Sequence, residues 1–341
     1  MKRVWFNHWF STAYHIIGLM RENNDITVIG SNRNPDSVIS LACDEWYTEP
    51  SDISGDEYVS FCLDFCREHD IDVFVPRRGM TDIAKNSSLF EKQGVLLFMD
   101  TDAQMLDILS SKTETYRFFE GFAPECIPEY YEVRSLDEFM NAYKKITASY
   151  ERACFKLSGD EGAVSFRVID NTMTGAEGLY KAPGLKVSIE TAENIFSCYD
   201  FSKSVLVMPY LSGTEVSADC LYTDSGSIII PRFKDGGRFY SIRNDSTIIS
   251  LCRRFLEKSG LKMPCNVQFR FYGDTPYLLE VNTRMSGGIQ LSCLGGGVNI
   301  PSLALGRLLG KEVCFSDNIR EGKVSYIESP VLIEEKNAVL M

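Results

Sequence analysis

The first hundred residues alternate between short apolar runs and stretches of helical spacing, and this restricts the fold more than any other feature of the chain. Val4-Trp5-Phe6, Ile26-Thr27-Val28-Ile29-Gly30, Val73-Phe74-Val75-Pro76 and Val95 to Met99 read as strands buried on both faces. Thr12 to Arg21, Glu57 to His69 and Asp82 to Lys92 read as the helices between them. In the second of these, Phe61, Cys62, Phe65 and Cys66 fall on one side. The order βαβαβαβ predicts a doubly wound parallel sheet, because parallel neighbours need a crossover connection that a helix supplies. The turn VIGSNRN lacks the GxGxxG spacing, so no dinucleotide site is expected there.

Downstream the pattern becomes a mixture of helices and hairpins. Asp102 to Phe119 is helical, with Ser110 or Ser111 placed to cap a new helix, and Leu136 to Lys145 is a second helix. Ala153-Cys154-Phe155-Lys156 is a strand that runs into LSGDEGAVS, and Phe166 to Ile169 returns. A helix over Ala192 to Tyr199 precedes strands at Ser204–Tyr210, Glu215–Tyr222 and Ile228–Phe233. Thr247 to Ser259 is a long amphipathic helix. The chain ends with a helix near Ile300–Leu309 and a strand at Lys323–Glu328. The class is α/β with an α+β part.

At 341 residues the chain is long enough for two or three packed domains. A net charge of −12 argues against a duplex nucleic-acid partner, which needs a basic face. No apolar run reaches membrane-spanning length, and the start resembles a first strand rather than a signal peptide. The eleven scattered cysteines form no CxxC pair and read as reduced packing residues of a cytoplasmic protein. His8 and His15 are expected to be structural.

The stretch NVQFRFYGDTPYLLEVNTRMSGG, residues 266–288, reads as a hairpin with its turn over Tyr272–Pro276. That turn pairs Gln268 with Glu280 and Asn266 with Asn282, so one face carries Gln268, Arg270, Glu280 and Asn282, with Leu278 its only apolar member. The other face holds Val267, Phe269, Phe271, Leu279 and Val281 and is core. Amide and carboxylate oxygens suit a hard cation such as Mg²⁺, which binds through one or two carboxylates together with substrate phosphates. Glu280 is the anionic anchor, Gln268 and Asn282 supply neutral oxygens, and Arg284 is placed to meet a phosphate or carboxylate.

This hairpin resembles the metal-binding hairpin of the ATP-grasp superfamily, most closely that of carbamoyl-phosphate synthetase large subunits. The resemblance implies an ATP-grasp fold with an N-terminal Rossmann-like domain over 1–104 and an ATP-grasp domain over 105–315. A lid at about 115–208 and a tail over 316–341 complete the implied organisation. It also implies site residues. SSKTETYRFF resembles the segment of a nucleotide-contacting lysine, Lys112. FKLSGDEGAVSFRVI resembles a phosphate-contacting lysine, Lys156, followed by a glycine loop with Gly159 and Gly162. VLVMPYLSGTEVSADCL resembles the hinge strand, where Met208, Tyr210 and Leu211 meet adenine, Leu206 flanks it and Glu215 takes the ribose. Arg232 and Lys234 are candidates for the γ-phosphate or an acyl phosphate. Ser286–Gly288 and Gly295–Gly297 are candidates for cradling a carboxylate.

The implied activity uses ATP with Mg²⁺, or Mn²⁺ in its place, to convert a carboxylate to an acyl phosphate that an amine attacks, with Lys156 and Arg284 as catalytic residues. The partners are small-molecule carboxylate and amine substrates, and homodimers are common in the family. Two alternatives stand beside it. One is phosphorylation of carbamate or bicarbonate. The other is a non-catalytic ATP-binding protein, favoured by Asp160 and Glu161 within the glycine loop.

Overall fold

The computed structural model describes residues 1–158, 164–172, 184–224, 226–313 and 319–332. The chain divides into two compact units. The first comprises Met1–Asp107, Glu215–Gln268 and Val281–Met341, and the second Ile108–Thr214 and Phe269–Glu280.

The first unit opens with the expected parallel sheet. Strands β1 (Lys2–Asn7), β2 (Ile26–Asn32), β3 (Glu45–Thr48), β4 (Val73–Val75) and β5 (Leu96–Leu97) lie in the order β3-β2-β1-β4-β5, every pair parallel. Both sheet faces are covered, as a doubly wound sheet requires. Val4 and Phe6 face one core cluster with helix α1 (Ala13–Arg21), and Trp5, Ile29 and Phe74 face another with α2 (Gly55–Glu68). Trp5 stacks between Phe65 and Phe74, with ring centroids 4.3 and 4.0 Å away. The helix expected over Asp82–Lys92 is two short ones, α3 (Met80–Lys85) and α4 (Ser87–Lys92), broken at Asn86.

The same unit holds a six-stranded sheet ordered β15-β14-β11-β12-β13-β16, with β11 Glu215–Thr223, β12 Gly226–Gly236, β13 Phe239–Ile242, β14 Cys265–Tyr272, β15 Thr275–Asn282 and β16 Gly322–Val324. The tip of the β14–β15 hairpin, Phe269–Glu280, is counted with the second unit. The stretch after β15 forms the expected helix at Ile300–Leu308 and, before it, a helix at Ile289–Gly296 that the sequence pattern does not show. Gly295 and Gly296 are packing residues and not a carboxylate cradle. A Cβ on Gly295 would lie 2.5 Å from Ile242 Cγ1, and one on Gly296 would lie 3.1 Å from Ile230.

The chain passes from the first unit to the second within α5 (Ala103–Ser110), and Ser111 then starts α6 (Lys112–Glu120) by accepting the Glu114 N–H, so Ser111 is the cap that breaks the predicted helix. A five-stranded sheet follows, ordered β6-β10-β7-β8-β9, with β6 Tyr131–Val133, β7 Ala153–Leu157, β8 Arg167–Ile169, β9 Lys186–Val187 and β10 Val205–Pro209. One face of β7 and β10 buries Ala153, Phe155, Val205 and Val207 against α7 (Leu136–Ser149) and α8 (Ile189–Cys198). The hairpin turn is the two-residue Gly273–Asp274, not Tyr272–Pro276. Tyr272 and Thr275 therefore flank the loop, one residue out of step with the expected pairing, and near the turn it is Leu278, not Leu279, that is fully buried. The ten described cysteines are free thiols, nine of them buried, as packing residues would be.

Candidate active site

In the second unit, β7 and β10 run antiparallel, with Lys156 opposite Leu206 and Cys154 opposite Met208. Directly paired residues point to one side. Lys156, Leu206, Met208 and Cys154 thus share the face turned away from the core formed by Phe155, Val205 and Val207. A buried ammonium, two apolar side chains and a thiol make this face suited to a ring bearing phosphates. Burial pushes the Cys154 thiol up to about 12, so it stays neutral beside Lys156.

Lys112 is the first residue of α6, where a cation opposes the helix dipole. A partner offsets that cost. Its Nζ donates to Glu280 Oε2 at 2.9 Å and to the Leu279 carbonyl at 2.7 Å. Tyr116, one turn on, donates to the same carbonyl at 3.1 Å. Burial raises the Tyr116 phenol, which therefore remains a donor. Thr113 and Ser158 hydroxyls lie 3.4 Å apart, which ties the start of α6 to the end of β7 just after Lys156. Gly159 and Gly162, with Asp160 and Glu161 between them, lie outside the described residues.

The hinge is held by cations. Tyr210 lies between the guanidiniums of Arg152 and Arg270, 5.0 and 5.3 Å from its ring centroid. Its N–H donates to the Arg152 carbonyl at 2.8 Å, and Leu211 beside it is buried.

In the first unit, Glu215 begins β11 and Lys234 sits near the end of β12, with carboxylate and ammonium 4.0 Å apart. Gln268 is oriented by residues the sequence did not single out. The fully buried Asn266 donates to Ser217 Oγ at 3.0 Å, to the Ala218 carbonyl at 3.1 Å and to Asp219 Oδ1 at 2.9 Å. Those bonds fix which end of the Asn266 amide is oxygen, and that oxygen accepts from Gln268 Nε2 at 3.0 Å. Gln268 Oε1 is then the oxygen left for a cation, which fits the metal role. The alternation of EVSADC along β11 was the available signal, since Ser217 and Asp219 are two apart.

Arg232 is committed to partners inside the first unit. It is buried, donating to Ser292 Oγ at 3.1 Å and Ser217 Oγ at 3.2 Å and lying 3.7 Å from the buried Asp219 carboxylate. Gly288 fits over it. A Cβ there would stand 2.4 Å from an Arg232 nitrogen. Arg284 stacks on Phe10 with its guanidinium carbon 5.3 Å from the ring centroid. Asn282 ends β15. A cavity of about 730 Å³ walled by Tyr130, Tyr131, Tyr150, Tyr277 and Glu129 contains none of the predicted residues and is not this site.

A family model described as ATP-grasp in the biosynthetic pathway with Ter operon matches residues 201–330, the part that carries Glu215, Gln268, Glu280, Asn282 and Arg284. The biotin carboxylase domain dimer of Hydrogenobacter thermophilus 2-oxoglutarate carboxylase, solved with MgADP, ADP and bicarbonate, superposes with a TM-score of 0.66. It is 15% identical and covers 94% of this chain and 73% of its own. The chain has the ATP-grasp fold, and its residues 201–330 match an ATP-grasp family model. A second structural neighbour, the L-amino acid ligase of Bacillus licheniformis, has a TM-score of 0.64 and 12% identity over 92% of this chain and 75% of the ligase. The carbamoyl phosphate synthase large chain of Thermoplasma acidophilum is 20% identical over 309 residues, 86% of this chain. The chain spans only 28% of that relative's length. Among the described residues, no helix is long and apolar enough to cross a membrane.

Proposed function

We propose that the protein is an ATP-dependent ligase that activates a carboxylate as an acyl phosphate, releases ADP and joins the acyl group to an amine. The observation that carries this reading is the meeting of Lys112 and Glu280. They are two residues 168 apart in sequence, assigned respectively to nucleotide and metal, and their charged atoms lie 2.9 Å apart. Mg²⁺, when bound, neutralises phosphate charge and polarises the transferring phosphoryl group. Glu280, Asn282 and Gln268 Oε1 are the oxygens that would hold it. Lys112 positions the Glu280 carboxylate, and Lys156, on the face it shares with Leu206 and Met208, draws phosphate oxygens to the adenine-binding wall. Glu215 accepts from the ribose hydroxyls, and the backbone at Tyr210–Leu211 reads the adenine edge. Lys234 serves the γ-phosphate, and Arg284 clamps the carboxylate and then its acyl phosphate. In the first step a carboxylate oxygen forms a bond to the γ-phosphorus while the bond to the β-phosphate oxygen breaks. In the second the amine nitrogen bonds to the acyl carbon, the bond from that carbon to the phosphate oxygen breaks so that phosphate leaves, and the nitrogen gives up a proton to solvent or to the departing phosphate. No nucleophilic side chain is needed; positioning and charge neutralisation carry the reaction.

In this reading residues 1–104 form the N-terminal domain, 105–315 the ATP-grasp domain with its lid at about 115–208, and 316–341 the tail. The free thiols favour a cytoplasmic setting, and a homodimer is proposed by analogy with the biotin carboxylase domain. The carbamoyl phosphate synthase relative favours a second reading, phosphorylation of bicarbonate or carbamate.

One assay separates these readings. The protein is incubated with Mg-ATP and pools of carboxylates, amino acids, amines and bicarbonate, and ADP, AMP and phosphate are measured, with Glu280→Ala as control. ADP and phosphate that require both a carboxylate and an amine, and vanish in the variant, support the ligase. ADP with bicarbonate alone supports the second reading, AMP with pyrophosphate overturns both, and Mg-ATP binding without turnover favours a non-catalytic nucleotide-binding protein.

A further inference from the structure

The parallel sheet of the first unit changes direction at β1. The chain fills β2 and β3 on one side, then β4 and β5 on the other. The crevice at the carboxyl ends of the strands beside such a reversal is where open α/β sheets hold ligands. Here the strand ends at that point each deliver a basic residue. His8 follows β1, Arg33 follows β2, and Arg77 and Arg78 follow β4.

Asn7 fixes this arrangement. It is fully buried, its Oδ1 accepts from the Arg77 N–H at 2.5 Å, and its Nδ2 donates to Tyr58 Oη at 2.7 Å and to the Arg78 carbonyl at 3.1 Å. Arg78 is committed to structure, donating to the buried Glu49 at 3.2 Å and stacking 4.0 Å over Tyr58. His8 is different. Arg33 Nη2 lies 3.2 Å from His8 Nε2. A guanidinium offers only donors, so Nε2 accepts and the proton of the neutral ring resides on Nδ1. That Nδ1 is buried and meets no acceptor among the described residues. The ring is kept neutral. Burial lowers its pKa, the charges of Arg33, Arg78 and Arg77 lower it further, and Glu49 pulls the other way. The His8 backbone also sits in the left-handed region, at φ 44°, which residues other than glycine seldom adopt. A buried N–H without an acceptor and a strained backbone thus coincide at one residue beside guanidiniums, in a chain of net charge −12. The unpartnered N–H is a cost to the folded protein that an anionic oxygen would offset.

We propose that His8, Arg33 and Arg77 form an oxyanion-binding site at the switch point, taking the carboxylate or phosphate of a small-molecule ligand with His8 Nδ1–H as donor and the guanidiniums as counter-charge. The loop that carries His8 continues to Phe10, which lies under Arg284. If the ligase reading holds, this is where a remote anionic group of a substrate is recognised. The site itself does not depend on that reading.

The test needs no nucleotide, so its outcome and that of the ligase assay are independent. The full chain has three histidines, and ¹⁵N-histidine labelling makes each ring observable in long-range ¹H–¹⁵N spectra. Sodium phosphate and sodium succinate are titrated at pH 7 against sodium chloride at equal ionic strength. One ring, absent in His8→Asn, is expected as the Nδ1–H tautomer. It should shift saturably with phosphate, succinate or both, and bind at least tenfold more weakly in Arg33→Gln. Asn at position 8 tolerates the left-handed backbone, so that variant should fold. Saturation by phosphate alone identifies a phosphorylated ligand, and saturation by succinate alone a carboxylate. Shifts no larger than those with chloride, or an affinity unchanged in Arg33→Gln, overturn the proposal.

Discussion

Replacing Glu280 with Gln separates the contribution of that carboxylate to folding from its contribution to ligand binding. The Lys112–Glu280 pair is 2.9 Å long, and its side chains are 23% and 31% exposed. At an effective dielectric constant of ~20, two unit charges that close attract by about 6 kcal/mol. Desolvation and lost side-chain freedom cancel most of this, as they do for partly exposed pairs generally, leaving a net of about 1 kcal/mol. Gln keeps the shape and an oxygen for Lys112 Nζ, so the unliganded variant should melt only about 2 °C lower. The effect on ligand binding is larger. Mg-ATP at a hundred times its Kd stabilises the wild-type protein by about 2.7 kcal/mol, which the variant loses if Glu280 is the metal anchor. Thermal melting with and without Mg-ATP reads both numbers from one pair of samples. A variant that melts a little lower alone but keeps the full Mg-ATP shift would refute the metal assignment and leave Glu280 as a structural partner of Lys112.

Two further predictions concern buried charges. Arg232→Leu leaves Asp219, which is fully buried, without its guanidinium, and should cost about 3 kcal/mol in urea unfolding; a loss under about 1 kcal/mol would show that Ser292 and Asn266 alone satisfy the carboxylate. Asp170 accepts from Lys186 at 2.8 Å and from Thr172, which hold its carboxyl far below its usual 3.8. A depressed folded-state pKa stabilises the protein above the unfolded value and loses that effect as pH falls through the folded one. The stability difference between wild type and Asp170→Asn should therefore be constant above about pH 4 and shrink below it. A difference that grows on acidification would contradict this.

The legibility of the sequence followed the strength of its patterns. β1, β2 and β4 are continuous apolar runs because both faces of a doubly wound sheet are buried, so they stand out. β3 was missed because EWYT at Glu45–Thr48 is an edge strand with only Trp46 fully buried, and so has no run to detect. The helix at Ile289–Gly296 was not foreseen, because Gly295–Gly297 at its end suggest a carboxylate cradle. Its glycines were not there for freedom but for the space that Ile242 and Ile230 occupy. At the site, residue types on β14 and β15 pointed to a cation, and VLVMP and ACFKL gave a wall whose register the structure supplies. Contact between Lys112 and Glu280 could not be read, because nothing local links residues so far apart in the chain. Arg232 shows the opposite error. A charge beside glycines in PRFKDGG suggests a ligand, but the buried acid that claims it, Asp219, lies on another strand.

The hairpin tip has a practical consequence for anyone cutting the molecule into pieces. Phe269–Glu280 is counted with the second unit although the strands that carry it begin and end in the first. Within that unit the Gly213 N–H donates to the Phe271 carbonyl at 2.9 Å, and the Phe271 N–H donates to the Thr214 carbonyl at 3.0 Å. A fragment spanning 108–214 would lack those partners and the buried Phe269 and Leu278 side chains. Expression of that segment alone is therefore expected to yield an aggregating product. A library that reshuffles this protein with its relatives should treat 108–214 and 269–280 as one inherited block, exchanged together or not at all.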